Sequence, residues 1–313
     1  MSATGDLPTT RRSTAGPVVV GYDASEAAET ALAWAGREAR TRGTALQVVY
    51  VRDAHDTGLA VRPGGREDAP DAGAWPVVEE AAARVRDIVP GVETETFVEY
   101  ASPGAALVAM SRGASLVAVG STPHRALVEE LRGSVALQLA AHAHCPVGIV
   151  PALPDVRLPA ERPVVVGYDG SPSAARALLH AADAAWFGAL ALRVVVAWSP
   201  GPAEWVESFA LATLPRDATE EAAERTLADG LERVRAHGEA QGRRPGSLMV
   251  EGVVQEGRAV DVLHREATDA DRLVVGTRGR GGFAALLLGS VSHTMIRTAP
   301  CPVVVVRDEG APE

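Results

Sequence analysis

Lysine and asparagine are missing from this chain of 313 residues, in which all 30 basic residues are arginine. Without lysine there is no P-loop lysine, no Schiff-base amine and no lysine general base. Without asparagine there is no N-glycosylation acceptor. Two cysteines, Cys145 and Cys301, are too few for a disulfide framework or a thiolate metal site. None of the eight histidines falls in a metal spacing such as HExxH, and no GxSxG elbow has a strand-turn-helix setting. The formal net charge of −10 runs against a nucleic-acid partner, which calls for a basic face. No apolar run approaches the roughly 18 residues of a membrane span, and residues 1–16 (MSATGDLPTTRRSTAG) lack the apolar core of a signal peptide. The expected location is therefore the cytoplasm, with no membrane partner.

What is present is a duplication. Residues 18–23 read VVVGYD, and residues 164–169 read VVVGYD again. Asp23 and Asp169 are 146 apart, whereas Gly120 and Gly276, Gly133 and Gly289, and Cys145-Pro146 and Cys301-Pro302 are each 156 apart. The second copy thus carries a net insertion of ten residues between its first strand and its glycine loop. A chain this long reads as two domains, 17–150 and 163–307. A flexible tail (1–16), a proline-bearing linker (151–162, PALPDVRLPAER) and a short tail (308–313) complete it.

Within each copy, β-branched runs alternate with Ala-rich helical stretches. The first copy reads as strands near 17–22, 44–51, 92–98, 115–119 and 146–150, with helices near 25–42, 76–89, 102–112 and 134–143. The second reads as strands near 163–168, 190–197, 247–253, 271–275 and 302–306, with its longest helix near 219–241 and another from Ser290. Strands alternating with helices predict βαβ units, parallel sheets and right-handed crossovers. Apolar runs without alternation, such as Val303–Val306, predict strands covered on both faces. The segments 53–74 and 199–217 are read as loose connections after the second strand, where lids or partner surfaces occur.

The stretch from Gly276 to Ser292, GTRGRGGFAALLLGSVS, lies between a strand and a helix. Glycine lets backbone approach a ligand closely and permits φ > 0, and a helix N-terminus offers unpaired N–H groups to an anion. In an open parallel sheet, ligands bind at the carboxyl ends of strands where the strand order reverses. Asp169 and Gly276 would share that crevice, the carboxylate accepting from ribose hydroxyls or an adenine amino group. The competing reading has Asp23 and Asp169 as helix caps.

VVVGYDGS, Cys301-Pro302 before the final strand, and the spacing G-x2-G-x9-G-S of Gly276, Gly279, Gly289 and Ser290 resemble the universal stress protein family in its tandem two-domain form. The resemblance implies an α/β fold of two Rossmann-like domains, each a five-stranded parallel sheet in the order 3-2-1-4-5 flanked by helices. It also implies an ATP-binding crevice, with magnesium an option on the phosphates. By position, Asp169 and the backbone near Val194 would hold ribose and adenine. Val275, Gly276, Gly279, Gly289, Ser290, Val291 and Ser292 would line the ribose and phosphates, with charge from Arg278 and Arg280. In the first copy Asp23, Val48, Gly120, Gly133 and Ser134 match, but Pro123 stands where the second copy has Gly279 and removes a donor. The second copy is therefore expected to be the stronger site.

A nucleotide loop beside no catalytic set implies a regulatory, non-enzymatic protein, with slow ATP hydrolysis left open. The rival readings are an adenylating enzyme of related fold and an interaction module that no longer binds. Cys145 and Cys301 are read as small buried hydrophobes, with redox sensing as the alternative, and His124 and His293 as surface residues rather than proton carriers. The resemblance further implies association through the last strands, which would pair the two copies within one chain. A homodimer beyond that pair and an unknown protein partner are left open.

Overall fold

The computed structural model describes residues 16–52, 73–121, 135–152, 162–199, 216–279 and 287–307. The first half runs β1 (Val18–Gly21), α1 (Glu26–Arg42), β2 (Leu46–Arg52), α2 (Ala74–Ile88), β3 (Thr94–Tyr100), α3 (Pro103–Met110), β4 (Leu116–Ser121), α4 (Val135–His142) and β5 (Val147–Pro151). The second repeats the order as β6 (Val164–Gly167), α5 (Pro172–Gly188), β7 (Leu192–Trp198), α6 (Arg216–Ala240), β8 (Val250–Glu256), α7 (Ala259–Ala267), β9 (Arg272–Gly276), α8 (Ser290–Thr298) and β10 (Val303–Val306).

Local chemistry explains the repeated first unit. Ser25 and Ser171 are extended N-caps whose hydroxyls accept from Ala28 N at 3.2 Å and Ala174 N at 3.3 Å, and Pro172 occupies the first turn of α5. The β-branched runs that precede these caps are covered twice. Val18 and Val20 join the core beneath α1 and α2, whereas Val19 joins the core beneath α3 and α4; Val164, Val165 and Val166 repeat the arrangement. A strand buried on both faces has no solvent side to mark with polar residues, so the run is uniformly apolar.

All ten strands form one sheet in the order β3-β2-β1-β4-β5-β10-β9-β6-β7-β8. Each half has the order 3-2-1-4-5, and its internal pairings are parallel, as expected. The two halves meet by antiparallel pairing of β5 with β10, Val303 opposite Ile149 and Val304 opposite Gly148. The last strands of the two copies thus pair within one chain.

The elements differ from the sequence reading in where strands begin: β2 and β7 start two residues late, at Leu46 and Leu192. β3 and β8 begin two to three residues later than the apolar runs suggest, at Thr94 and Val250. Both are edge strands carrying exposed glutamates, so their termini lack an apolar boundary. Pro151, assigned to the linker, closes β5 opposite Ser121. The expectations for the tails, for most of the linker and for nearly all of segments 53–74 and 199–217 lie outside the described residues.

Candidate functional site

Strand order reverses between β6 and β9, which run side by side while their crossovers leave in opposite directions. At their carboxyl ends lies a crevice of about 550 Å³, within the range of small-ligand sites. One wall is apolar, built from Val195 and Ala197 of β7 with Ala259 and Leu263 of α7. The other is backbone and small side chains, from Val275 to Gly279 and from Leu288 to Ser292.

Asp169 stands two residues beyond β6. Its Oδ1 accepts from Ser171 N at 2.9 Å, which fixes the turn, while Oδ2 faces Gly279 across the mouth of the crevice. A Cβ at Gly279 would lie 2.6 Å from that oxygen, so no larger residue fits without displacing the carboxylate. The helix cap is Ser171, not Asp169, and in the first half it is Ser25, with Asp23 Oδ1 accepting from Ser25 N at 3.0 Å. The capping reading of the two aspartates therefore gives way to a turn-holding role for one oxygen. The other oxygen of Asp169 is directed at the loop.

Why the loop starts with glycine differs from the sequence expectation. Neither Gly276, Gly279 nor Gly289 has positive φ. Gly276 is required because the N-terminal turn of α5 lies against it: a Cβ there would sit 2.7 Å from Ser173 C and 2.9 Å from Ala174 N. Gly120 is pressed in the same way against Ala27 and Ala28 of α1, so helix packing alone accounts for it.

Serines fasten the loop. The Arg278 carbonyl accepts from Ser171 Oγ at 3.3 Å and from Ser173 Oγ, and Arg278 N donates to Ser173 Oγ at 3.3 Å. Gly289 N donates to Thr277 O at 2.7 Å, and the Ser292 hydroxyl lies 3.0 Å from both Thr277 O and Gly289 O. Ser292 is buried and closes the loop internally rather than presenting its hydroxyl to the crevice. Gly289 is an extended N-cap without a side-chain acceptor, so the first N–H groups of α8 open at Ser290 and Val291, where the helix carries roughly half a positive charge.

Of the residues expected to line the site, Asp169, Val275, Gly276, Arg278, Gly279, Gly289, Ser290, Val291 and Ser292 come together here. Val194 does not line it. Its side chain is buried in the core on the α5 and α6 face, its backbone pairs with Val166 and Gly252, and the next residue, Val195, supplies the wall. Val48 is buried on the corresponding face of the first half. Arg280, Gly133 and Ser134 lie outside the described residues, as do Pro123 and His124. Sequence reasoning missed Val195, Ala197, Ala259, Leu263, Tyr168 and Thr277. The i, i+4 spacing of Ala259 and Leu263 was the available signal; β7, apolar on both faces, offered none.

Tyr168 anchors the crevice to α6 through a hydrogen bond to Asp229 Oδ2 at 2.6 Å, itself 2.7 Å from Arg233 Nε. Burial and the Asp229 carboxylate push the phenol up to about 12, so it stays protonated. Among the described residues no group of three or more His, Cys, Asp or Glu is placed to hold a metal ion. Burial also pushes the thiols of Cys145 and Cys301 up to about 12, which disfavours the reactive thiolate.

The sequence model of the universal stress protein family matches residues 15–151 and again 161–307. Universal stress protein Rv2623 of Mycobacterium tuberculosis is 35% identical over 302 residues, covering 93% of this chain and 96% of that protein. Universal stress protein Rv2005c of the same organism is 33% identical over 305 residues, again covering 93% and 96%. The crystal structure of a universal stress protein from Archaeoglobus fulgidus aligns with 95% of this chain and 98% of its own, at a TM-score of 0.63 and 21% identity, a likeness of fold.

Proposed function

The chain belongs to the universal stress protein family, and from that membership and the crevice we propose that its second half binds an adenine nucleotide, ATP in the first instance, as a regulatory ligand. The observation that carries this reading is the opposition of the Asp169 carboxylate and Gly279 beside an uncapped helix N-terminus. The base would lie against Val195, Ala197, Ala259 and Leu263, the ribose hydroxyls would donate to Asp169, and the phosphates would take the N–H groups at Gly279 and at the start of α8. Magnesium would ride on the phosphates rather than on a protein carboxylate cluster.

Regulation by occupancy has a physical route. Thr277 N donates to Val306 O at 3.1 Å, linking the loop to β10, the strand through which the two halves pair. Phosphate held at Gly279 and the start of α8 would thus bear on that seam. We read the two units as 17–150 and 163–307, the second as the principal site, and the protein as cytoplasmic and non-catalytic. Among the described residues no helix is long and apolar enough to cross a membrane.

Binding to the native state alone stabilises by about 2.7 kcal/mol at a hundredfold excess over Kd, a rise in Tm on the order of 5 °C. ATP should produce that rise in the wild type. Gly279→Asp should remove it by setting a second carboxylate beside Asp169, whereas Pro123→Asp should leave it in place. No ATP-induced rise in the wild type would sink the proposal, and a larger loss from Pro123→Asp would move the site to the first half. Turnover of ATP dependent on a second substrate would replace the regulatory reading with an enzymatic one.

A further inference from the structure

The second half contains another cavity, about 290 Å³, at the opposite end of the sheet from the crevice, where β8 begins at Val250. It exists because this half is longer. α6 spans 25 residues against 15 in α2, and nine residues (241–249) lead into β8 where five (89–93) lead into β3. The added connection folds back on α6, Arg243 N donating to Gly238 O at 2.9 Å, and closes over the end of α5.

The floor of the cavity is apolar, from Leu231, Val234 and Leu248 beside Trp186. Its rim is cationic. The Arg243 guanidinium stacks over Trp186 at 4.6 Å and over Phe187 at 5.2 Å. Elsewhere the arginines are commonly matched to carboxylates, Arg235 on the same rim being paired with Glu232 and Glu239. Arg243 and Arg244 have no carboxylate partner among the described residues. Trp186 Nε1 and Arg243 Nε are buried donors without an acceptor there. A buried donor without a partner calls for an explanation, and two that line one cavity are accounted for by an acceptor bound there. His237 is already held by Asp183 at 2.9 Å.

We propose that this cavity is a second ligand site, for a small organic phosphate monoester with a flat apolar body. The body would lie on Leu231, Leu248 and the Trp186 edge. A dianionic head matches the two guanidiniums that lack a carboxylate partner, which present several N–H donors to phosphate oxygens. The site is independent of the nucleotide reading, since it shares no residue with the crevice.

Phenyl phosphate is the probe, titrated calorimetrically into the full chain carrying Gly279→Asp, which closes the crevice to phosphate. One binding event is expected, weakened about tenfold by Arg243→Gln and about tenfold by Arg244→Gln, since a hydrogen bond to a charged group contributes at least that factor. Arg244 is exposed, so its replacement leaves the fold intact, and an unchanged Tm checks this. Inorganic phosphate should bind more weakly than phenyl phosphate, and benzyl alcohol should not bind. The proposal is overturned by unchanged affinity in both arginine variants, by no binding in Gly279→Asp, or by inorganic phosphate binding as tightly as phenyl phosphate.

Discussion

Ala24 and Ala189 are the non-glycine residues with positive φ among those described, at 63° and 51°. Each has a glycine at the matching position of the other half: Gly170, φ 76°, and Gly43, φ 66°. The turn between strand and helix and the end of that helix thus need the left-handed conformation in both copies, whichever residue stands there. For alanine this costs about 1–2 kcal/mol, offset by the roughly 0.4–1 kcal/mol that glycine loses through unfolded-state entropy. Ala24→Gly and Ala189→Gly should each stabilise by about 0.5–1 kcal/mol, read from urea unfolding midpoints at unchanged slope. Destabilisation by both would mean that the backbone at these sites is not held in the left-handed region.

At the scale of elements, α1 and α5 illustrate how matched helices acquire unlike chemistry. Trp34 of α1 corresponds to His180 of α5; where these helices approach the junction of the two halves Trp34 is buried, and His180 is half-buried with its ring Nε2 fully covered. Burial holds His180 neutral, its folded pKa near 3, and Arg42 and Arg272 add to the effect while Glu38 opposes it. The unfolded imidazole titrates near 6.5, so below that pH the unfolded state binds the extra proton and stability falls as pH falls toward 3. That contribution amounts to about 2 kcal/mol lost between pH 7 and pH 5. His180→Leu should remove it, giving a shallower acid limb in unfolding measurements over that interval. An equally steep limb would show that His180 takes up its proton in the folded state.

Across the whole molecule, the halves are joined by more than β5 and β10. Glu38 of α1 forms an ion pair with Arg272 of β9 at 2.6 Å, and Arg272 also pairs with Asp271 at 2.7 Å and lies over Trp34 at 5.2 Å. Glu38 and Arg272 are both buried. Burial alone would raise the Glu38 carboxyl, but Arg272 and Arg42 outweigh it and hold the group below its usual range. Removing Arg272 leaves the buried Glu38 with Arg42 as its remaining cation, at a cost of about 3 kcal/mol, the lower end for breaking a buried pair. Arg272→Met should therefore lower stability by that amount in urea unfolding. A loss under about 1 kcal/mol would show the pair to be solvated. Because this junction occupies the last strand of each half, any homodimer must use another surface; the free sheet edges are β3 and β8.

The strand-helix alternation, the duplication and the doubly buried strands were legible because they depend on local patterning: uniform apolar runs, Ser-led helix starts and repeated spacings. The glycine loop and Asp169 could also be read from spacing, since the crevice lies at strand ends that topology brings together. The glycines themselves could not be assigned a cause, because whether Gly276 serves a ligand, a left-handed turn or the approach of α5 depends on residues a hundred positions away. The choice of Val195 over Val194 turned on which face of β7 meets the crevice, and a strand buried on both sides hides its own register. The paired halves, the Glu38–Arg272 bond and the cavity of Arg243 arise only when distant segments pack, for a charged side chain carries no mark in the sequence of the partner it will meet.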